Sequence, residues 1–145
     1  MTITTTLTPQ IVGQAEKAHA PLLVRILEPT GTTMNQWVAL RLTAVAGSAT
    51  LDQHAGRIAG ALQIEPTSAR ATVEELTHAG LLGPADAGAL GFTDAGQAFY
   101  QQINTAVNEV ISWAYGDIPA EDLATAGRVL TQITDKLNSG QDSGR

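Results

Sequence analysis

The segment from residue 50 to residue 82 constrains the fold of this chain more than any other. It contains two apolar patterns of helical spacing that are separated by a tight turn, and the first of them covers residues 51–62. The second begins at Pro66, and proline suits the first turn of a helix because no backbone N–H is needed there. Gly80 closes the second helix, since glycine readily adopts a left-handed C-cap. The segment therefore predicts a helix-turn-helix unit in which Ile64 pins the two helices together.

Two further helices are predicted upstream of this unit. Thr8, followed by proline, is typical of a helix start and predicts a helix that runs to residue 27. Pro21 lies inside that helix and is expected to kink it or to split it in two. Thr32 and Thr33 are the predicted cap of a second helix, which ends at Gly47 and Ser48.

A hairpin and two long helices are predicted downstream. The hairpin covers residues 81–92, and Thr93 begins a helix that extends to about Tyr115. Pro119 starts the last helix, which carries a heptad-like apolar seam of Leu123, Ala126, Leu130, Ile133 and Leu137. Residues 139–145 are polar and glycine-containing, and we expect them to be a disordered tail.

The order and spacing of these features resembles the MarR family of winged helix-turn-helix regulators. The resemblance covers residues 7–137 and depends on the following residues: Gln36, Leu40, Leu42, Ile58, Ala59, Leu62, Pro66, Ala69, Val73, Leu76, Gly80, Leu81, Leu82, Phe92, Thr93 and Gly96. It implies a mainly α fold, a winged helix-turn-helix with a short β-hairpin wing and N- and C-terminal dimerisation helices. The expected organisation is one MarR-like domain over residues 1–145, with the winged core at 33–93 and dimerisation helices at 8–28 and 94–138.

The resemblance also implies a function. It indicates a DNA-binding transcriptional regulator, a ligand-responsive repressor that acts on double-stranded DNA as a homodimer. An alternative is a MarR-like dimer that has lost DNA binding and serves as a small-ligand-binding or protein-interaction module; a helical adaptor is a weaker one. For the terminal helices, the alternative to a dimer is a monomeric bundle that buries the apolar seams internally.

By the resemblance, the recognition helix runs from Pro66 to Ala79. The candidate DNA-binding residues on it and on the preceding helix are Thr67, Ser68, Arg70, Arg57, His54, Gln53 and Thr50. Arg70 has an alternative role as a surface partner of Glu74 one turn along the same helix, and His54 as a simple surface residue. Arg41 is either a further DNA contact or a buried ion-pair partner.

The charge distribution opposes DNA binding. The formal net charge is −6, and residues 71–127 contain no lysine or arginine. The family's wing commonly carries arginine near its tip. The only charged residue of the tip here, residues 83–88, is Asp86. Any positive surface must therefore come from the N-terminal half of the chain.

Members of the family often bind small aromatic acids or phenols in a cleft between the dimer helices and the DNA-binding lobe. The candidate ligand-binding residues are His19, Arg25, Trp37 and Trp113, with Arg25 pairing a carboxylate and Trp37 stacking on a ring. Core packing is the alternative for both tryptophans.

Gly56 and Gly60 lie four residues apart inside a predicted helix, where close approach of a neighbouring helix is the expected reason for them.

Other classes of function find little support. The chain has no cysteine, and its three histidines are scattered, so neither a metal site nor a cofactor is predicted. No nucleotide-binding loop or nucleophile motif occurs, so we expect no enzyme. The N-terminus lacks the features of a signal peptide and no apolar run is long enough to span a membrane, so a cytoplasmic protein is expected.

Overall fold

The structure is a computed structural model that describes residues 5–142. This part of the chain forms, in order, α1 (Pro9–Leu27), α2 (Met34–Ala46), α3 (Leu51–Leu62), α4 (Pro66–His78), β1 (Leu82–Pro84), β2 (Leu90–Phe92), α5 (Asp94–Tyr115) and α6 (Ala120–Asp142). The elements belong to two compact units, of which the first ends at Asn108 and the second begins at Glu109. The predicted fold class and order of elements are confirmed.

Helix α1 begins at its predicted cap. The side chain of Thr8 accepts a hydrogen bond from the backbone N–H of Ile11 at 3.3 Å, and Pro9 occupies the first turn. The helix continues through Pro21, so the predicted split into two helices is wrong. Pro21 lies on an exposed side of the helix and lacks the backbone N–H that would continue the hydrogen-bond ladder at this point. Gly31, with a φ of +72°, ends the short helical turn that follows α1.

Helices α2 and α3 begin with the same capping arrangement. Thr33 accepts from the backbone N–H of Gln36 at 3.1 Å, and the Gln36 side chain accepts from the Thr33 N–H at 3.0 Å. Thr50 and Gln53 repeat this exchange at 3.1 and 2.9 Å. Each box satisfies two backbone donors that the first turn of a helix leaves unpaired, which explains why both helices start at these threonines.

A left-handed residue makes the turn between α3 and α4. Gln63 has a φ of +55°, and the next residue, Ile64, donates its N–H to the Ala59 carbonyl at 3.2 Å. Ile64 packs against the core, as predicted. Helix α4 ends in a similar way, because Gly80 has a φ of +82° and the Leu81 N–H bonds the Leu76 carbonyl at 3.0 Å.

Helices α2, α3 and α4 enclose one apolar core together with the start of the hairpin. Its buried members are Ala39, Leu40, Ala55, Ile58, Ala69, Val73, Leu76 and Leu82. Because α4 contributes only one face to this core, its other face remains at the surface.

The hairpin is short and is fastened at both ends. Its register pairs Leu82 with Phe92, and Leu90 also exchanges two backbone hydrogen bonds, at 3.0 and 2.7 Å, with Ala49 ahead of α3. Beyond β2, Gly96 lies against the backbone of Leu81, so closely that a Cβ at this position would overlap the Leu81 carbonyl oxygen. The wing is therefore held to the helix-turn-helix by backbone contacts.

A second buried cluster joins α1, α2 and the first part of α5 within the first unit. It contains Leu27, Trp37 and Ile103. Trp37 stacks on Tyr100 with a ring-centroid distance of 5.4 Å and an interplanar angle of 16°. Trp37 is thus a core residue, in agreement with the core-packing alternative.

The second unit contains the end of α5 and the whole of α6. None of its side chains between residues 109 and 140 is buried. Helix α6 extends to Asp142 and thus includes the first four residues of the predicted tail, while residues 143–145 lie outside the described part. The second unit is a pair of helical segments without a core of its own.

Candidate nucleic-acid interface

The exposed face of α4 carries the central residues of the predicted interface. Thr67, Ser68 and Arg70 are exposed, whereas Ala69 and Val73 on the opposite face are buried. The Glu65 side chain makes no capping bond, so the backbone N–H groups of the first turn are left to solvent. The start of α4 therefore presents two hydroxyl groups, free N–H groups and one guanidinium on a single surface.

The start of α3 presents fewer free groups than the sequence suggests. The Thr50 hydroxyl accepts the cap hydrogen bond, and the side-chain oxygen of Gln53 accepts another. The Gln53 amide nitrogen remains as a donor on an exposed side chain. Thr50 therefore has a structural role at the cap, but its hydroxyl can still donate a hydrogen bond, so Thr50 and Gln53 both remain candidate phosphate contacts.

Arg57 and Arg41 have different surroundings. Arg57 is partly buried and donates from Nη1 to the Gly47 carbonyl at 3.1 Å, which ties α3 to the end of α2. Arg41 is exposed, so of its two alternative roles the buried ion-pair partner is wrong. Together with Arg70, these residues are the cations that α2, α3 and α4 offer to a partner.

His54 does not belong to the interface surface. Its side chain is only 2% exposed, and its Nε2 lies 2.9 Å from the Leu90 carbonyl oxygen. The expectation of a surface residue with a DNA contact is therefore wrong, because a buried ring cannot reach a phosphate. His54 instead connects α3 to strand β2.

Gly56 and Gly60 also contradict the sequence analysis. Both are exposed, and a Cβ at either position would meet no other atom within 4 Å. No neighbouring helix therefore requires a glycine here. Gly56 instead borders a surface crevice of about 400 Å³ whose other lining residues are Asp52, Ala55, Pro66, Thr67 and Arg70.

Arg70 forms an ion pair that the sequence did not predict. Its Nη1 bonds the carboxylate of Asp52 in the first turn of α3, so the predicted alternative of a pair with Glu74 is wrong. No sequence signal points to this pair, because the two residues are 18 positions apart and meet only when α3 packs on α4. Asp52 is therefore a member of the interface that the sequence analysis missed.

The candidate ligand-binding residues lie in different surroundings. Trp37 is buried, while Arg25 is exposed in the last turn of α1, where a cation favours the helix dipole. His19 is exposed, and its Nδ1 lies 2.6 Å from the carbonyl oxygen of Ala15. Trp113, in the second unit, is 78% exposed, so the core-packing alternative is wrong for this tryptophan.

One crevice in the first unit lies beside the Trp37 cluster. It has a volume of about 280 Å³ and is lined by Val24, Leu27, Glu28, Thr32, Thr33 and Met34. None of the four predicted ligand-binding residues lines it. Within residues 5–142 no group of three or more acidic or histidine side chains could hold a metal ion, and no helix there is long and apolar enough to cross a membrane.

The fold is shared with solved MarR-family proteins. Ligand-free NadR matches with a TM-score of 0.72 at 22% sequence identity, over 87% of this chain and 94% of NadR. The Mycobacterium tuberculosis MarR family protein Rv2887 in complex with DNA gives 0.66 at 16% identity, over 89% and 98% of the two chains. The reduced form of MarR from E. coli gives 0.65 at 17% identity, over 90% and 95%.

Two of these proteins have also been solved with small molecules. NadR is in complex with 4-hydroxyphenylacetate and Rv2887 with p-aminosalicylic acid. No family model matches the present chain, and neither does any curated protein. The structural likeness establishes the winged-helix fold that the sequence resemblance implied.

Proposed function

We propose that this chain, which has the fold of MarR-family regulators, is a homodimeric DNA-binding repressor whose DNA affinity is lowered by a small ligand. The observation that carries DNA binding is the exposed face of α4. Thr67, Ser68 and Arg70 project from the second helix of a helix-turn-helix whose other face is packed into the core. This is the element that such folds insert into a DNA major groove, and Rv2887 shares the fold and has been solved with DNA.

The expected affinity is modest because few cations are present. A dimer in which Arg41 and Arg57 of both protomers contact the backbone neutralises four phosphates, which corresponds to a slope of about −4 in a plot of log K against log salt. If Arg70 of both protomers also contacted phosphates, the slope would be about −5. A steeper dependence would require cations that this surface lacks.

Fluorescence anisotropy with DNA from the promoter of its own gene tests DNA binding. We expect Arg70→Ala to weaken promoter binding by about tenfold or more, because a good arginine–base contact contributes roughly 1–3 kcal/mol. The matched control is Arg128→Ala, which removes the same charge from an exposed position on α6. Equal losses in the two variants, or no binding by the wild type at low salt, would contradict the proposal.

The homodimer is supported by the second unit. Its end of α5 and its helix α6 bury no described side chain, and the exposed apolar residues include Trp113, Leu130, Ile133 and Leu137. An apolar surface of this kind favours association, and the seam on α6 has the heptad spacing of helix pairing. We expect Ile133→Lys to produce a monomer in sedimentation equilibrium. Gln132→Lys, which adds the same charge on α6 outside the apolar seam, should leave the dimer intact.

The ligand response is tested separately from DNA binding. Suitable probes are 4-hydroxyphenylacetate and p-aminosalicylate, because NadR and Rv2887 have been solved in complex with these phenolic acids. Calorimetric titration should show binding that Arg25→Ala weakens. Lys17→Ala, an equal charge change on α1, should leave the binding unchanged.

Repression itself predicts that deleting the gene raises transcription from its promoter; a fall would indicate an activator.

A second candidate function is supported by the charge of the interface. On the exposed face of α4, Arg70 is outnumbered by Glu74 and Glu75, and Asp86 lies at the wing tip. These charges favour a dimer of the same fold that binds a ligand or a protein without binding DNA. Ligand binding in calorimetry together with no DNA binding in anisotropy would select this candidate.

A further inference from the structure

The ion pair between Arg70 and Asp52 lies at the centre of the candidate interface. Arg70 is the only lysine or arginine on α4. Its contact with Asp52 is the only ion pair that the structure shows between side chains of residues 5–140. Both side chains are exposed, at 48% for Arg70 and 84% for Asp52. A DNA duplex that approaches α4 therefore meets a carboxylate beside the one cation of that helix.

The backbone holds the two partners in a fixed relation. Asp52 lies in the first turn of α3, whose start is set by the capping box of Thr50 and Gln53. Arg70 follows Ala69, which is completely buried and packs in the same core as Ile58 of α3. Because neither helix can move without opening this core, the backbone positions that carry the carboxylate and the guanidinium remain within ion-pair reach of each other.

The pair distinguishes between a phosphate and a base as partner for Arg70. A phosphate brings a negative charge next to Asp52, so it is repelled unless the carboxylate is displaced. A guanine edge is neutral and offers two acceptors, and the guanidinium has five donors, of which the carboxylate uses one. A guanine can therefore bind Arg70 while the ion pair persists.

We propose that Asp52 is a specificity-determining residue of the DNA interface. It suppresses contacts of Arg70 with phosphates, which are independent of sequence, and reserves the guanidinium for a base edge. This inference rests on the proposed function, because it concerns the same DNA surface. Its consequence is weak binding to arbitrary DNA, a useful property when competing sites are abundant.

The test compares two variants that each remove one negative charge. Asp52→Asn breaks the ion pair and keeps the size of the side chain. Glu74→Gln removes a charge from an exposed position one helical turn after Arg70 and leaves the pair intact. Circular dichroism establishes that both variants are folded, and anisotropy measures binding to promoter DNA and to a scrambled duplex of the same length.

We expect Asp52→Asn to tighten binding to the scrambled duplex much more than to promoter DNA. The ratio of the promoter affinity to the scrambled-duplex affinity should fall by about tenfold, which is the discrimination that one base contact commonly supplies. Glu74→Gln should tighten both complexes about equally and leave the ratio within about twofold. In an Arg70→Ala background, Asp52→Asn should no longer change the ratio, because the group that it controls is absent.

The outcomes separate this inference from the proposed function. Promoter binding by the wild type, with the same ratio in both acid variants, would overturn the role of Asp52 alone. A ratio that still changes in the Arg70→Ala background would also overturn it. No promoter binding by the wild type would overturn the proposed function, and this inference with it.

Discussion

Replacing Gly96 by alanine tests how closely the wing is joined to the rest of the first unit. Gly96 lies in the first turn of α5 and donates its N–H to the Thr93 side chain at 2.9 Å. The Thr93 N–H in turn bonds the Leu81 carbonyl at 3.1 Å, and its hydroxyl bonds the Gly80 carbonyl. A Cβ on residue 96 would overlap the carbonyl oxygen of Leu81 and lie 3.1 Å from its Cα. Either the chain after α4 or the first turn of α5 must therefore move.

The magnitude follows from three contributions. Forcing a methyl group against a packed backbone costs about 1–3 kcal/mol, and losing the hydrogen bond between Thr93 and Leu81 costs about 1 kcal/mol more. The higher helix propensity of alanine returns at most about 1 kcal/mol. We therefore expect Gly96→Ala to lower the free energy of unfolding by about 1–3 kcal/mol.

Urea denaturation followed by circular dichroism measures this change, and Gly60→Ala is the matched control. Gly60 is exposed on α3, and a methyl group there would have no other atom within 4 Å, so alanine should raise the free energy of unfolding by about 1 kcal/mol. The same substitution thus has opposite signs at the two positions. A Gly96→Ala protein as stable as the wild type would refute the close approach of α5 to Leu81.

Three further substitutions test local features of the fold. Thr33→Ala removes the capping box of α2 and should lower the free energy of unfolding by about 1 kcal/mol; an unchanged urea midpoint would contradict the role of the cap. Gln63→Gly relieves the left-handed backbone at the end of α3 and should raise the free energy of unfolding by about 0.5–1 kcal/mol, which thermal denaturation would show as a higher midpoint. Part of the gain is offset because the hydrogen bond from the Gln63 side chain to the Gly60 carbonyl is lost. His54→Leu removes a buried hydrogen bond to the Leu90 carbonyl, so it should destabilise the protein by about 1 kcal/mol. It should also speed hydrogen exchange at the Ala49 amide, which donates to the same carbonyl. Unchanged exchange would show that His54 does not hold the wing.

The positions of the helix ends could be predicted because they depend on neighbouring residues. Thr8, Thr33 and Thr50 each accept a hydrogen bond from a backbone N–H three residues ahead. Pro66 and Gly80 act through their own backbone conformations. Signals of this kind are complete within about four residues, so they can be recognised without knowing what the helix packs against.

The candidate site was predictable only in part, for the same reason. The exposure of Thr67, Ser68 and Arg70 follows from the apolar spacing of α4, which marks the opposite face as the buried one. The burial of His54 and the ion pair of Asp52 with Arg70 depend on residues far away in the sequence, on β2 and on α4. Spacing within one helix contains no information about such partners.

The glycines and tryptophans show where inference from a single residue type fails. From the sequence alone, Gly56 and Gly60 cannot be distinguished from a glycine that close packing requires. In the structure the backbone of another segment lies against Gly96, but not against Gly56 or Gly60. Trp37 and Trp113 both lie on apolar helical stripes, yet the first is buried and the second is 78% exposed. The apolar pattern identifies a face that avoids water without specifying which surface covers it.

The sequence by itself determined the order of the helices, most of their ends, the hairpin and the face of α4 that turns away from the core, because hydrogen bonds and apolar spacing within a few residues decide these features. Only the tertiary structure decided what each side chain touches. It placed His54 beneath the wing, gave Arg70 an acidic partner on α3 and left the glycines of that helix open to solvent. Such contacts arise when elements distant in the sequence pack together, and each depends on the shape and charge of both surfaces.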